Sequence, residues 1–119
     1  MQISFRSDKL RKEFEDERAL NCDRGSVQAK KIRLRVAQLE AATNLQQLRP
    51  PQPGHFHELT SDKSGWLACS LDGNYRLLFV VADNPVPALD SGGLDWSKVT
   101  QVCILGVLDY HERNKKQPV

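Results

Sequence analysis

The chain has 119 residues, with 17 basic against 15 acidic side chains and a formal net charge of +2. That length suits one domain, residues 1–119, around one core, and so small a net charge points to no particular class of partner. No stretch approaches the ~20 apolar residues of a membrane span and no signal-peptide core opens the chain, so a cytoplasmic protein with no membrane contact is expected.

Residues 2–6 alternate polar and apolar, which predicts a short first strand. Ser7 follows as a helix cap, and Leu10 and Phe14 stand four apart on one face of a helix expected to run to about Arg18. Glu13, Glu15, Asp16 and Glu17 give that helix an acidic far end, unfavourable against its dipole and therefore expected in solvent. Residues 20–25 read as a polar linker. Ser26 is expected to cap a second, longer helix carrying the stripe Ala29, Ile32, Val36 and Leu39. Lys30, Lys31, Arg33 and Arg35 flank the stripe, so that with Arg6, Lys9, Arg11 and Lys12 much of the basic charge falls in the first third.

Residues 44–48 suit a further helical turn, which the proline-rich stretch 49–54 cannot continue. The apolar period then changes to two. His57-Glu58-Leu59 leads to an apolar run over 66–71, the turn Asp72-Gly73-Asn74, and a second run over 75–81. Asp-Gly between two such runs is a strong hairpin signal. Residues 84–98 hold Pro85, Pro87 and Ser91-Gly92-Gly93 and read as a long irregular loop; a final strand is expected over 99–108, then a charged tail. The order strand, two helices, three strands predicts an α+β fold in which two N-terminal helices pack on one face of a small antiparallel sheet. The first strand must pair at an edge or beside the last. Cys69 and Cys103 fall in apolar runs and read as small core residues, whereas Cys22 reads as an exposed thiol; three such widely spaced cysteines suit neither a disulfide framework nor a zinc ribbon.

Chemistry-bearing residues gather at the end of the last strand, in Asp109-Tyr110-His111. Side chains two apart on a strand share a face, so Asp109 and His111 can act together, and a carboxylate beside an imidazole can hold it charged for proton transfer. Together with Phe56-His57-Glu58-Leu59, the run 66–71 and Gly73-Asn74-Tyr75-Arg76-Leu77, in that order, this ending resembles the RelE/ParE toxin superfamily. Within it the chain most resembles the HigB branch (host inhibition of growth, or plasmid-maintenance killer), over residues 2–83 and 99–111.

The resemblance implies a RelE-like fold and a toxin that cleaves mRNA in the ribosomal A site without a metal or other cofactor. Its implied partners are the ribosome, its mRNA and a neutralising HigA-like helix-turn-helix antitoxin. In such toxins a ribose 2′-hydroxyl attacks the adjacent phosphate, leaving a cyclic phosphate and a free 5′-hydroxyl. That step needs a base, an acid and a cation. His57, Asp109 and His111 match the branch's functional positions, with the two histidines sharing acid and base work and Asp109 orienting or assisting. Tyr110 is placed to stack on a nucleotide, and Arg76 and Lys63 are the cations for phosphate. Thr60 follows Leu59 where relatives often carry lysine, and Lys63 is the one cation of the turn 61–65, which shifts weight to Arg76. Residues 84–98 stand where relatives usually have a tight turn; an inert surface loop is expected there, and Trp96 within it has no assigned partner. Two other readings stay open: a ParE-type gyrase poison, which needs no proton-transfer residues, and a degenerate relative that only binds an antitoxin. A helix-turn-helix regulator is disfavoured, because strands dominate the second half.

Overall fold

A computed structural model describes residues 1–59 and 65–109. The strands are β1 (Gln2–Phe5), β2 (His57–Glu58), β3 (Trp66–Ser70), β4 (Tyr75–Val81) and β5 (Gln101–Asp109). The helices are α1 (Asp8–Glu15), α2 (Glu17–Arg24) and α3 (Ser26–Ala41), with 3-10 turns at Leu45–Leu48 and Trp96–Lys98.

Three helices replace the two expected, and Asp16 is the reason. Its backbone is extended (φ −105°, ψ 105°), which stops α1. Its carboxylate then accepts from the N–H groups of Arg18 and Ala19 at 3.0 and 3.2 Å and starts α2. Half of the acidic run is therefore no burden on α1, because Asp16 and Glu17 lie at the N-terminus of α2, where the dipole favours negative charge; Glu13 and Glu15 stay in the last turn of α1, where they pair with Arg24 and Arg11. Residues 20–24, expected in a linker, are helical; Leu20 is fully buried and Arg24 bridges back to Glu13 at 3.0 Å. Ser7 caps α1 as expected, by accepting from the Leu10 N–H at 3.1 Å. Ser26 does not cap α3. Gly25 holds the cap position at φ 79°, a conformation open to glycine, and no side chain caps the helix.

The sheet is mixed rather than antiparallel, with strand order β1-β5-β4-β3-β2. β2, β3, β4 and β5 pair antiparallel in turn, whereas β1 lies parallel to β5 at the far edge, with Ile3 opposite Val102. Parallel pairing follows from connectivity, since α1, α2 and α3 intervene before the chain returns through the antiparallel strands. The Asp72-Gly73 hairpin forms between β3 and β4 as expected. One sheet face supplies Leu67, Leu77, Phe79, Ile104 and Val107 to a core closed by Leu10, Phe14, Leu20, Ile32 and Leu39 from the helices. Of the expected α3 stripe, Ala29, Ile32 and Leu39 are buried and Val36 half-buried. The basic run on α3 is not wholly solvated: Arg35 is 7% exposed, and its Nε donates to the Ser70 carbonyl at 2.7 Å. Burial pushes the Cys69 thiol up to about 12, with Arg35 and Arg76 opposing the shift weakly. Cys22 is exposed and Cys103 half-buried.

Residues 84–98, expected as a surface loop, are packed in part. Leu94 and Trp96 join the core, and Ala88 bridges Leu94 across the turn. Val86 and Leu89 remain exposed.

Candidate active site

Local sequence places His57 at the start of β2. Gly54 has φ 108°, and a β-carbon there would stand 2.5 Å from the Phe56 ring, so no other residue fits this approach. Phe56 is fully buried and meets Phe79 edge-on, with ring centroids 6.1 Å apart. His57 follows and pairs with Ala68, which in turn lies opposite Leu78. The alternation therefore sets His57 on the face away from the helical core, in one row with Ala68 and Leu78.

The His57 Nδ1 lies 2.8 Å from the His55 carbonyl oxygen. A carbonyl only accepts, so Nδ1 carries the proton and Nε2 is the basic nitrogen of the neutral ring. That is the arrangement a general base needs. His55 itself is exposed, at φ 49°, and its ring lies 4.9 Å from that of His57.

Arg76 lies on the same face as His57. It pairs with Ser70 on one side and Leu108 on the other, two residues along β4 from Leu78. Strand spacing and rise put the Arg76 and His57 Cα atoms roughly 12 Å apart. The Arg76 guanidinium also donates to the carbonyls of Gly73 and Tyr75 at 3.1 and 2.9 Å, which ties it to the hairpin turn.

Asp109 sits elsewhere. It pairs with Tyr75, on the row of Leu77 and Val107, so it shares the helix-facing side while His57 occupies the other. Three strand spacings and the offset along β5 put their Cα atoms on the order of 17 Å apart, beyond direct contact. The extra residue of a β-bulge, Leu105, precedes this strand end, with Gly106 at φ 139°. Lys63, Tyr110 and His111 lie outside the described residues. His57 and Arg76 thus share one face of the sheet, whereas Asp109 lies on the other, next along β5 from Leu108, the partner of Arg76.

No local pattern in the sequence announces one further contact: the Trp96 Nε1 donates to Glu58 Oε2 at 3.0 Å, across 38 positions. Two grooves, of about 380 and 620 Å³, lie among the N-terminal elements, one floored by Phe5, Phe14 and Ile32 and the other walled by Arg6, Lys9 and Glu13. Neither reaches His57. Among the described residues no acidic, histidine or cysteine cluster could hold a metal ion, and no helix is long and apolar enough to cross a membrane.

The family model for the RelE-like toxin HigB of type II toxin-antitoxin systems matches residues 3–91. The match takes in β1 through β4 and stops before Leu94, Trp96 and β5. No curated protein and no solved structure matches the chain. An α+β chain with this family's pattern across three quarters of its length is a toxin of a type II system, a class defined by a protein antitoxin partner; it belongs to the HigB-like family of RelE-like toxins.

Proposed function

We propose that this toxin is a ribosome-dependent endoribonuclease that cleaves mRNA by attack of a ribose 2′-hydroxyl on the adjacent phosphate. The observation that carries the reading is His57, whose Nδ1–H is anchored on the His55 carbonyl so that Nε2 is left as the base. His57 takes the 2′-hydroxyl proton, and His111 returns one to the leaving 5′-oxygen. Arg76, on the face of His57, supplies positive charge to the phosphate as it becomes crowded. Asp109 acts on His111, two residues along, and not on His57. Tyr110 stacks on a base, and Lys63 adds a second cation. The reaction needs no metal or cofactor, and the toxin acts in the cytoplasm as one domain, residues 1–119. A HigA-like helix-turn-helix antitoxin neutralises it.

The test is RNA end mapping in a translating extract with purified toxin. New 5′-hydroxyl ends should appear within ribosome-bound mRNA and should vanish when ribosomes are removed. Intact mRNA together with failing gyrase would replace this reading by ParE-type poisoning. Intact mRNA with antitoxin binding retained and no growth arrest would leave a degenerate relative.

A further inference from the structure

The segment 84–98 ends in a side-chain stack that reaches the residue next to His57. Asp83 ties its base by accepting from the N–H groups of Thr100 and Gln101 at 3.1 and 3.0 Å and from Thr100 Oγ1 at 2.8 Å. Leu94 and Trp96 anchor its return, at 6% and 4% exposure. Asp95 shapes the turn that presents the indole, through Ser97 Oγ at 2.6 Å and the Ser97 N–H at 3.1 Å. Arg49 covers the Trp96 ring, with its guanidinium carbon 4.1 Å from the ring centre.

A buried indole N–H needs one acceptor, and here the acceptor is the carboxylate of Glu58. Glu58 belongs to a strand of two residues that, among the described residues, pairs on one side only, opposite Leu67. So short an edge strand has few contacts of its own to resist local opening. Glu58 and His57 point to opposite faces, so fixing Glu58 on the helical side fixes the direction of the imidazole on the other.

We infer that Trp96 is a positioning residue for His57. By holding Glu58 it locks β2, so that the imidazole keeps its Nδ1–H on the His55 carbonyl and Nε2 as base. The inference rests on the reading of His57 as an acid–base residue, yet the clasp can be tested apart from it.

The experiment pairs single-turnover cleavage on programmed ribosomes with ¹⁵N spectra of the imidazoles at pH 8, using the full chain. Trp96→Phe keeps an aromatic ring and removes the N–H. It should lower kcat about tenfold while leaving KM within about twofold, as expected when a reacting group loses alignment rather than substrate binding. Wild-type His57 should give the spectrum of an Nδ1-protonated ring, and Trp96→Phe should show both tautomers. Glu58→Gln retains an acceptor and should retain the rate. Glu58→Ala should match Trp96→Phe, and the double variant Glu58→Ala/Trp96→Phe should be no slower than either single. Leu89→Ala, on the exposed part of the same segment, should leave both readouts unchanged. An unaltered His57 tautomer in Trp96→Phe, or multiplicative losses in the double variant, would overturn the proposal. Should Trp96→Phe fail to fold, the Glu58 variants carry the same test on an exposed residue. If the spectra change as stated while His57→Ala cleaves at the wild-type rate, the clasp stands and the acid–base role falls.

Discussion

The two edges of the sheet are held by different physics. At one edge β1 lies against helices: Phe5 meets Phe14 edge-on with centroids 5.8 Å apart, and Ile3 and Phe5 pack on the hydrophobic core. At the other, β2 is two residues long and is held by one ladder, the buried Phe56 and the Glu58–Trp96 hydrogen bond. The first edge is stabilised by apolar area that many residues share. The second depends on a few contacts, two of which, the Phe56 ring and the Glu58–Trp96 bond, a single substitution removes. His57 sits on the second edge. Residues that must meet a substrate commonly stand where local stability is low, because a fully packed core leaves no access.

The largest stability effect should come from the shared core. Phe79→Ala removes a fully buried ring that touches Phe56 and should cost about 3–5 kcal/mol, read as a lower midpoint in urea. A loss below about 1 kcal/mol would mean that the sheet's helical face is not the main source of stability.

Trp96→Ala should cost about 3 kcal/mol, the low end for a tryptophan, because Arg49 covers its outer face and can settle inward. Replacing residues 84–98 by a short turn should therefore destabilise the fold. A shortened chain as stable as wild type would break the contrast between the edges, since the β2 edge would then need no clasp.

Asp16→Ala should cost about 1 kcal/mol by leaving the first N–H groups of α2 without their acceptor. Circular dichroism and thermal unfolding would register it. No loss at all would mean that the α1–α2 break is set by packing of Leu20 rather than by the cap.

The cysteines give the finest test. Folded protein at pH 8 should react with a thiol reagent rapidly at Cys22 and not at Cys69, whose thiol burial pushes up to about 12. Because the folded state holds that proton longer than the unfolded chain does, its contribution to stability is complete below pH 9 and is lost as pH rises toward 12. Cys69→Ala should flatten that alkaline decline, apart from its cavity cost.

Much of this was legible in the sequence because it is local. The Ser7 cap, the Leu10–Phe14 pair, the α3 stripe and the Asp72-Gly73 hairpin each rest on residues within a turn or two of one another. The α1–α2 break was local as well, but Asp16 lay inside an acidic run that reads equally as one solvated helix end. The parallel pairing of β1 with β5 joins residues almost a hundred positions apart, and no short-range pattern encodes it. The face of Asp109 followed neither from its neighbours nor from the motif it belongs to. It depends on a register with Tyr75 and on a bulge at Leu105 that only the assembled sheet defines. Trp96 offered an unassigned aromatic in a proline- and glycine-rich segment, and its partner lies 38 residues upstream.

The most direct test of the account is the single-turnover cleavage rate of His57→Ala on programmed ribosomes, measured beside its melting temperature. The account predicts a rate about 10²–10⁴-fold lower, the usual worth of a general acid or base, with a melting temperature close to wild type because the imidazole lies outside the shared core. His55→Ala, which keeps the carbonyl and removes only an exposed ring beside His57, should cleave near the wild-type rate. A wild-type rate for His57→Ala would contradict the assignment of chemistry to the β2 edge, even with the toxin family unchanged.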